Sequence, residues 1–279
     1  MSFFRYPGGK RKLREEILLA LTSSYSEGMQ YREPFFGGGS IGIEFIKHHP
    51  ELQSIWINDK DIGIYCLWKS VIEQPEELYS KIIKFVPSTK KFYAYKDELR
   101  NLTTTPLDDS GILDIGFKKI AIHQISYSGL GTMSGGPLGG EEQKSDYKID
   151  CRWSPSYLNK KINGIHSLLR GKRIKCTCND FETVISDTTE NALIYLDPPY
   201  YVEGNKLYQC GFEDTDHKRL ANVLRESSMS WLLSYDDDKE KVVRNMYKWA
   251  IVKELNVKYS ITTARIKPEL LISSNSISK

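Results

Sequence analysis

The sequence predicts an α/β protein, an open and mostly parallel sheet whose chain is interrupted by a mainly helical, loop-rich insert. Three observations lead there. Near the start, strand, glycine loop, helix, acid-tipped strand and helix follow in order, as in a βαβα unit. Between about residues 86 and 170 that rhythm stops and a long glycine-rich stretch appears. After it, strand-like apolar runs return, and one ends abruptly at Asp197-Pro198-Pro199-Tyr200.

Composition sets the outer limits. The 279 residues are 40% hydrophobic and 27% charged, the profile of a folded globular chain. No apolar run approaches the roughly 18 to 20 residues of a membrane span. The polar start, Met1 to Lys10, does not resemble a secretory signal. Five thinly spread cysteines argue against a disulfide framework and for a reducing cytoplasm. A net charge of +3 permits a polyanionic partner without demanding one.

Gln30 to Phe36 is an extended run that breaks at Gly37-Gly38-Gly39. A helical pattern follows (Ile41, Ile43, Phe45, Ile46), with Ser40 as its expected N-cap. Ser54 to Ile57 reads as a buried strand ending at Asn58-Asp59, and Ile62 to Ile72 as a helix. In the insert, Ser126 to Gly140 carries too many glycines for a helix or central strand and is expected to be a loop outside the core. Arg173 to Cys178, Ala192 to Leu196 and Trp231 to Ser234 read as strands, and Asp216 to Glu226 as a helix. Ala250 to Val257 and Glu269 to Ile272 read as a closing strand pair.

Four constellations carry chemistry. In Glu33-Pro34-Phe35-Phe36-Gly37-Gly38-Gly39-Ser40, glycines between strand and helix allow a ligand close to the backbone. The spacing is not that of a dinucleotide fingerprint, and Glu33 suits a cation better than a pyrophosphate. Asp59, about 20 residues on, has the place of an acid that holds a ribose, though a surface or capping aspartate looks the same. In Asp197-Pro198-Pro199-Tyr200 the prolines fix the backbone and donate no N–H, so the turn presents acceptors only. That suits an amino group, with Tyr200 as a stacking face for a planar base. Tyr6-Pro7-Gly8-Gly9-Lys10 is either a flexible turn or a lid over a ligand. Cys176 and Cys178 are too close and solitary for zinc, and no metal site is expected.

Together these motifs resemble the Dam-type adenine-N6 DNA methyltransferases. The shared features are the aromatic-x-Gly-Gly-Lys start, Glu33 to Gly39, Asn58-Asp59, Asp180-Phe181 and Asp197 to Tyr200, in the order of the class α arrangement. Tyr200-Tyr201 through Gly204 to Leu207-Tyr208, and Leu233 to Asp237, look more like restriction–modification relatives. The resemblance implies a Rossmann-like methyltransferase sheet with its last strand antiparallel. It implies catalytic regions at 1–85 and 171–279 and a target-recognition insert at 86–170. It implies S-adenosyl-L-methionine as cofactor, held by Tyr6, Lys10, Glu33, Phe35, Gly37, Gly39, Asp59, Asp180, Phe181 and Asp197. Asp197, Pro198 and Tyr200 are the implied catalytic residues, acting on adenine flipped out of double-stranded DNA. A cognate restriction endonuclease is an implied partner, and a bacterial or phage-infected cytoplasm the implied location. Lys90, Lys91, Lys118, Lys119, Lys160, Lys161, Arg170, Lys172 and Arg173 are expected to face phosphates or solvent. Two other readings stay open on the residues alone: an N4-cytosine methyltransferase, and a catalytically inactive DNA-binding relative.

Overall fold

The structure is a computed structural model that describes residues 3–4, 11–105, 108–201, 211–236, 241–259 and 265–274. Tyr6, Lys10, Gly204, Leu207 and Tyr208 lie outside the described residues. The elements begin with α1 (Arg11–Ser24), β1 (Gln30–Glu33), α2 (Gly42–His48) and β2 (Ser54–Asn58). Next come α3 (Ile62–Glu73), α4 (Pro75–Lys84), α5 (Thr89–Arg100), α6 (Asp109–Ile125) and α7 (Pro155–Leu169). The chain continues through β3 (Arg173–Thr177), α8 (Phe181–Ile185), β4 (Ala192–Leu196), α9 (Asp214–Glu226), β5 (Ser230–Asp236), α10 (Val242–Met246), β6 (Ile251–Tyr259) and β7 (Arg265–Ser273). Contacts divide it into two compact units, one built on Lys60–Arg170 with Gly37–Gly39, the other on Pro7–Phe36, Ser40–Asp59 and Gly171–Lys279.

The second unit holds the sheet, in the order β3-β2-β1-β4-β5-β7-β6. β1 to β5 pair in parallel, and β7 runs antiparallel between β5 and β6. β1, β2 and β4 are buried at every position, as strands covered on both faces are; β2 and β4 carry apolar runs, while β1 buries the polar side chains of Gln30, Arg32 and Glu33 beside Tyr31. From β1 the chain winds outward through β2 to β3, then returns to β4 and winds the other way. The crevice at the carboxyl ends of β1 and β4 is therefore the topological switch point, where open α/β sheets bind ligands. α1 is absent from the sequence reading. Its signal is Leu13, Ile17 and Leu21, spaced by four and all buried.

The start of α2 differs from expectation. Ile41, not Ser40, occupies the cap position, and no side-chain cap is present. The Gly42 amide instead donates to the Glu33 carboxylate, which does the work a serine cap would have done.

In the helical unit, α6 is buried on all sides (Ile112, Ile115, Phe117, Ile120, Ala121, Ile122, Ile125), which makes it the central helix of its group. Asp61, Ser88, Asp108 and Ser154 cap α3, α5, α6 and α7. The glycine-rich stretch is ordered, contrary to the expectation of a loop outside the core. It folds as two 3-10 turns, Tyr127–Gly129 and Gly131–Met133, closed by a bridge between Ser126 and Pro137. Ser126, Thr132, Ser134 and Leu138 are buried. Ser134 Oγ lies 2.9 Å from the Tyr127 carbonyl and 2.8 Å from the Gly136 carbonyl, with one hydrogen to share between them, so hydroxyls supply bonding that regular structure would. Tyr127 stays 64% exposed at its tip.

Several expected phosphate ligands are also committed elsewhere. Lys119 is buried in an ion pair with Asp61 (2.6 Å), and Lys118 bridges Glu98 and Asp114 (2.5 Å each). Lys172 donates to the carbonyls of Pro50 and Leu52, and Arg173 pairs with Glu190. Lys90, Lys160 and Arg170 are exposed.

Candidate active site

Glu33, Asp59, Asp180 and Asp197 stand at or just past the carboxyl ends of sheet strands. Glu33 ends β1, and its side chain is turned inward, 3% exposed. Tyr31 donates its hydroxyl to Glu33 Oε2 (2.7 Å). A Cβ on Gly42 would lie 2.4 Å from that same oxygen, so only glycine lets α2 begin against the carboxylate. Burial drives the Glu33 pKa well above its ordinary value. The Tyr31 and Gly42 hydrogen bonds pull it down, and the negative charges of Asp197 and Asp59 push it up. Three carboxyls thus feel one another across the ends of β1, β2 and β4, a field that a cation would relieve.

Asn58, at the end of β2, ties three strand exits together. Its Nδ2 donates to the carbonyls of Pro34 (2.9 Å) and Asn179 (3.0 Å). Its Oδ1 accepts from Thr177 Oγ1 (2.7 Å) and the Asn179 amide (2.8 Å). Asp59 follows it, half-buried, with its amide donating to the Thr177 carbonyl. Past β3, Asp180 caps α8 through the Glu182 amide, and both its oxygens bind the Arg219 guanidinium at 2.8 and 3.0 Å. That guanidinium also lies 4.3 Å from the Phe181 ring. Phe35, Phe181 and Phe212 form an aromatic trio with centroids 5.6 to 5.7 Å apart.

At the end of β4 the Asp-Pro-Pro-Tyr turn is fastened at three points. Ser234 Oγ donates to Asp197 Oδ1 (3.0 Å), and Tyr200 donates its hydroxyl to Glu269 Oε2 (3.0 Å). The Tyr201 amide donates to Asp236 Oδ1 (3.0 Å). Pro198 and Pro199 are buried, while Asp197 and Tyr200 are half-buried. Glu33, Phe35, Asp59, Asp180, Phe181, Asp197, Pro198 and Tyr200 all belong to the sheet unit. Gly37 and Gly39 group with the helical unit, where the Gly37 carbonyl accepts from Trp68 Nε1 (2.8 Å). Both have positive φ (50° and 68°), a backbone suited to glycine.

The sequence reading singled out no role for Asn58, Gly42, Ser234 or Glu269. Asn58 and Ser234 stood inside motifs already noticed, but an uncharged side chain at a strand end carries no signal until its partners are placed. Glu269 sits on the antiparallel strand, far in sequence from Tyr200.

The sheet order, mostly parallel with an antiparallel strand inserted beside β6, is that of the Rossmann-like methyltransferase fold. Over residues 6–261 the chain matches the family described as D12 class N6 adenine-specific DNA methyltransferase, and it belongs to that family. It is an enzyme that methylates adenine N6 in DNA site-specifically. A search of curated proteins finds no match. Among the described residues no helix is long and apolar enough to cross a membrane, and no group of three or more His, Cys, Asp or Glu is placed to hold a metal ion.

Proposed function

We propose that this methyltransferase draws its methyl group from S-adenosyl-L-methionine bound at the switch point, and that Asp197, Pro198 and Tyr200 receive an adenine flipped out of double-stranded DNA. When bound, that cofactor supplies an electrophilic methyl group on a positively charged sulfur. The residues fit it. Asp197 and Asp59, whose negative charges help to raise the Glu33 pKa, offer negative potential to a cation, and Glu33 adds its own charge when a cation draws off its proton. Asp59, at the exit of β2, has the place of a ribose acceptor. Phe35 and Phe181 supply an apolar wall, and Asp180 enters as the cap that fixes Phe181, its carboxylate being shared with Arg219. Gly37 and Gly39 enter the reading by their place in the glycine motif. Tyr6 and Lys10 complete the reading by their motif.

The chain's own part in the reaction follows from the turn. Asp197 Oδ1 is already held by Ser234. The remaining carboxylate acceptor sites and the Pro198 carbonyl, held by two prolines that donate no N–H, take the hydrogens of the N6 amine. They stabilise the positive charge that develops on that nitrogen in direct displacement. Tyr200, its hydroxyl fixed on Glu269, gives the base a ring to stack on. No side chain becomes covalently attached. The amine of a paired adenine is engaged with its partner, which is why the base leaves the stack.

Target reading is assigned to the insert, 86–170, with 1–85 and 171–279 as the catalytic regions. Exposed Tyr127, Lys90, Lys160 and Arg170 support that division. The thin cysteine usage supports work in a reducing cytoplasm, and the motif likeness to restriction–modification relatives supports a partner endonuclease.

The observation that carries this reading is the Asp197 carboxylate, held at the end of a buried strand beside the switch point. Asp197→Ala should lower methyl transfer about 100-fold or more while the protein stays folded. The assay is turnover on genomic DNA with nucleoside analysis for N6-methyladenine. Near-normal turnover would sink the mechanism.

A further inference from the structure

β4 and β5 run parallel, with Leu196 opposite Leu233 as their last pair. Asp197 and Ser234 are the next residue on each strand and sit side by side. Strand alternation puts Tyr195 and Asp197 on the same face of β4. Ser234 is fully buried between them, its Oγ 2.9 Å from the Tyr195 hydroxyl and 3.0 Å from Asp197 Oδ1.

A serine hydroxyl has one hydrogen. The Asp197 oxygen is a charged acceptor at 3.0 Å, while the alternative, the Leu196 carbonyl, lies at 3.5 Å. With that hydrogen committed to Asp197, the contact with Tyr195 has one polarity left: the phenol donates to Ser234 Oγ. Burial above all, then Asp197, Glu33 and Glu269, holds the Tyr195 phenol well above its ordinary pKa, so it keeps the proton this direction needs.

We propose that Ser234 is a positioning residue for methyl transfer: its hydroxyl, itself fixed by Tyr195, sets the rotation of the Asp197 carboxylate so that its remaining lone pairs face the amine of the target base. This rests on the reading of Asp197 as the amine acceptor. A carboxylate freed about its Cβ–Cγ bond still binds an amine, but in many orientations. The loss then falls on the step that needs alignment and not on the binding of either substrate.

The test measures turnover, KM for cofactor, KM for DNA and melting temperature on Asp197→Ala, Ser234→Ala, Ser234→Thr and Tyr195→Phe. We expect Ser234→Ala to lower kcat about 10- to 100-fold with both KM values within about twofold. Ser234→Thr, which keeps the hydroxyl, should recover most of the rate, and Tyr195→Phe should lose rate in the same direction but less. An inactive Asp197→Ala beside a Ser234→Ala of normal kcat overturns the role of Ser234 and leaves Asp197 standing. An active Asp197→Ala removes the acceptor reading and this proposal with it. A Ser234→Ala that raises both KM values as much as it lowers kcat, without recovery in Ser234→Thr, marks a merely structural serine and also overturns it. Should Ser234→Ala fail to fold, an unchanged kcat in Tyr195→Phe overturns the relay.

Discussion

At Glu33 a titratable group is buried where its charge is penalised, and the consequence for stability has a definite sign. Its folded pKa lies above the ordinary carboxylate value, with burial as the largest cause. The folded chain therefore holds this proton more tightly than the unfolded chain. The stabilisation is fully present below the unfolded pKa and is lost as pH rises through the folded one. Glu33→Gln cannot ionise, so its melting temperature relative to the parent should climb with pH above about 4.5, whatever the offset from replacing an oxygen that accepts from Tyr31. Thermal unfolding of both proteins across that range checks it, and a difference that stays constant with pH contradicts the burial argument. If the site takes a sulfonium, its charge favours the ionised form. Calorimetry in buffers of different ionisation enthalpy should then show proton release on cofactor binding that Glu33→Gln lacks.

At the scale of elements, what was legible is what period and punctuation fix. β2, β4 and β5 announce themselves as apolar runs, β1 only as the extended stretch that breaks at the glycines, and the double proline marks where β4 stops. The acids at strand ends were legible because a charge at the end of a buried run has few structural reasons to be there. Where reasoning from the sequence failed, a partner far along the chain had taken over. Ser40 yields its cap to Glu33, Lys119 is consumed by Asp61, and Ser126 and Ser134 give the glycine-rich loop its internal bonds. Glycine content measures conformational freedom, not exposure, so a run read as loose is in fact packed on α6. Replacing Ser128 to Gly140 wholesale would remove the buried Thr132, Ser134 and Leu138 and destabilise the helical unit. The informative variant is Tyr127→Ala. The side chain is 64% exposed on a loop whose backbone is held by Ser134, with Ser128 beside it at a positive φ of 60°. An ordered loop that presents one aromatic ring loses little entropy on binding, and stacking on a base is worth about 1 to 3 kcal/mol. Tyr127→Ala should therefore weaken DNA binding about 5- to 150-fold, with melting temperature and cofactor affinity unchanged. Unchanged affinity on a methylatable duplex would assign recognition to another part of the insert.

For the whole molecule, two buried histidines, one in each unit, tie stability to pH between 7 and 5. His123 is stacked on Phe4, its Nδ1 donates to the Gly129 carbonyl, and burial, then the charge of Lys119, lowers its pKa from 6.5 to about 3. Asp61 and the Gly129 bond oppose that shift without cancelling it. His217 is buried against Phe212 and the Tyr235 hydroxyl, and burial lowers it to about 4 against the opposing pull of Asp214 and Asp216. A depressed folded pKa means the unfolded chain binds the proton first. The stabilisation is complete above about 6.5 and drains away as pH falls toward those values. Near pH 5 each histidine is neutral when folded and charged when unfolded. Each unit should then lose about 1.4 kcal/mol of stability per pH step of one. Glu33 works in the opposite sense as pH falls, so the measurement belongs in the Glu33→Gln background. Urea unfolding at pH 7, 6 and 5 should show the decline, with His123→Gln and His217→Gln each removing one histidine's share. The carboxylates that ion pairs hold low, Asp61 and Asp114, stay charged throughout this window, because their folded pKa values lie below the ordinary 3.8. A stability that stays level from pH 7 to 5 would mean that the two rings already take up protons in the folded chain, and that their surroundings open to water at little cost.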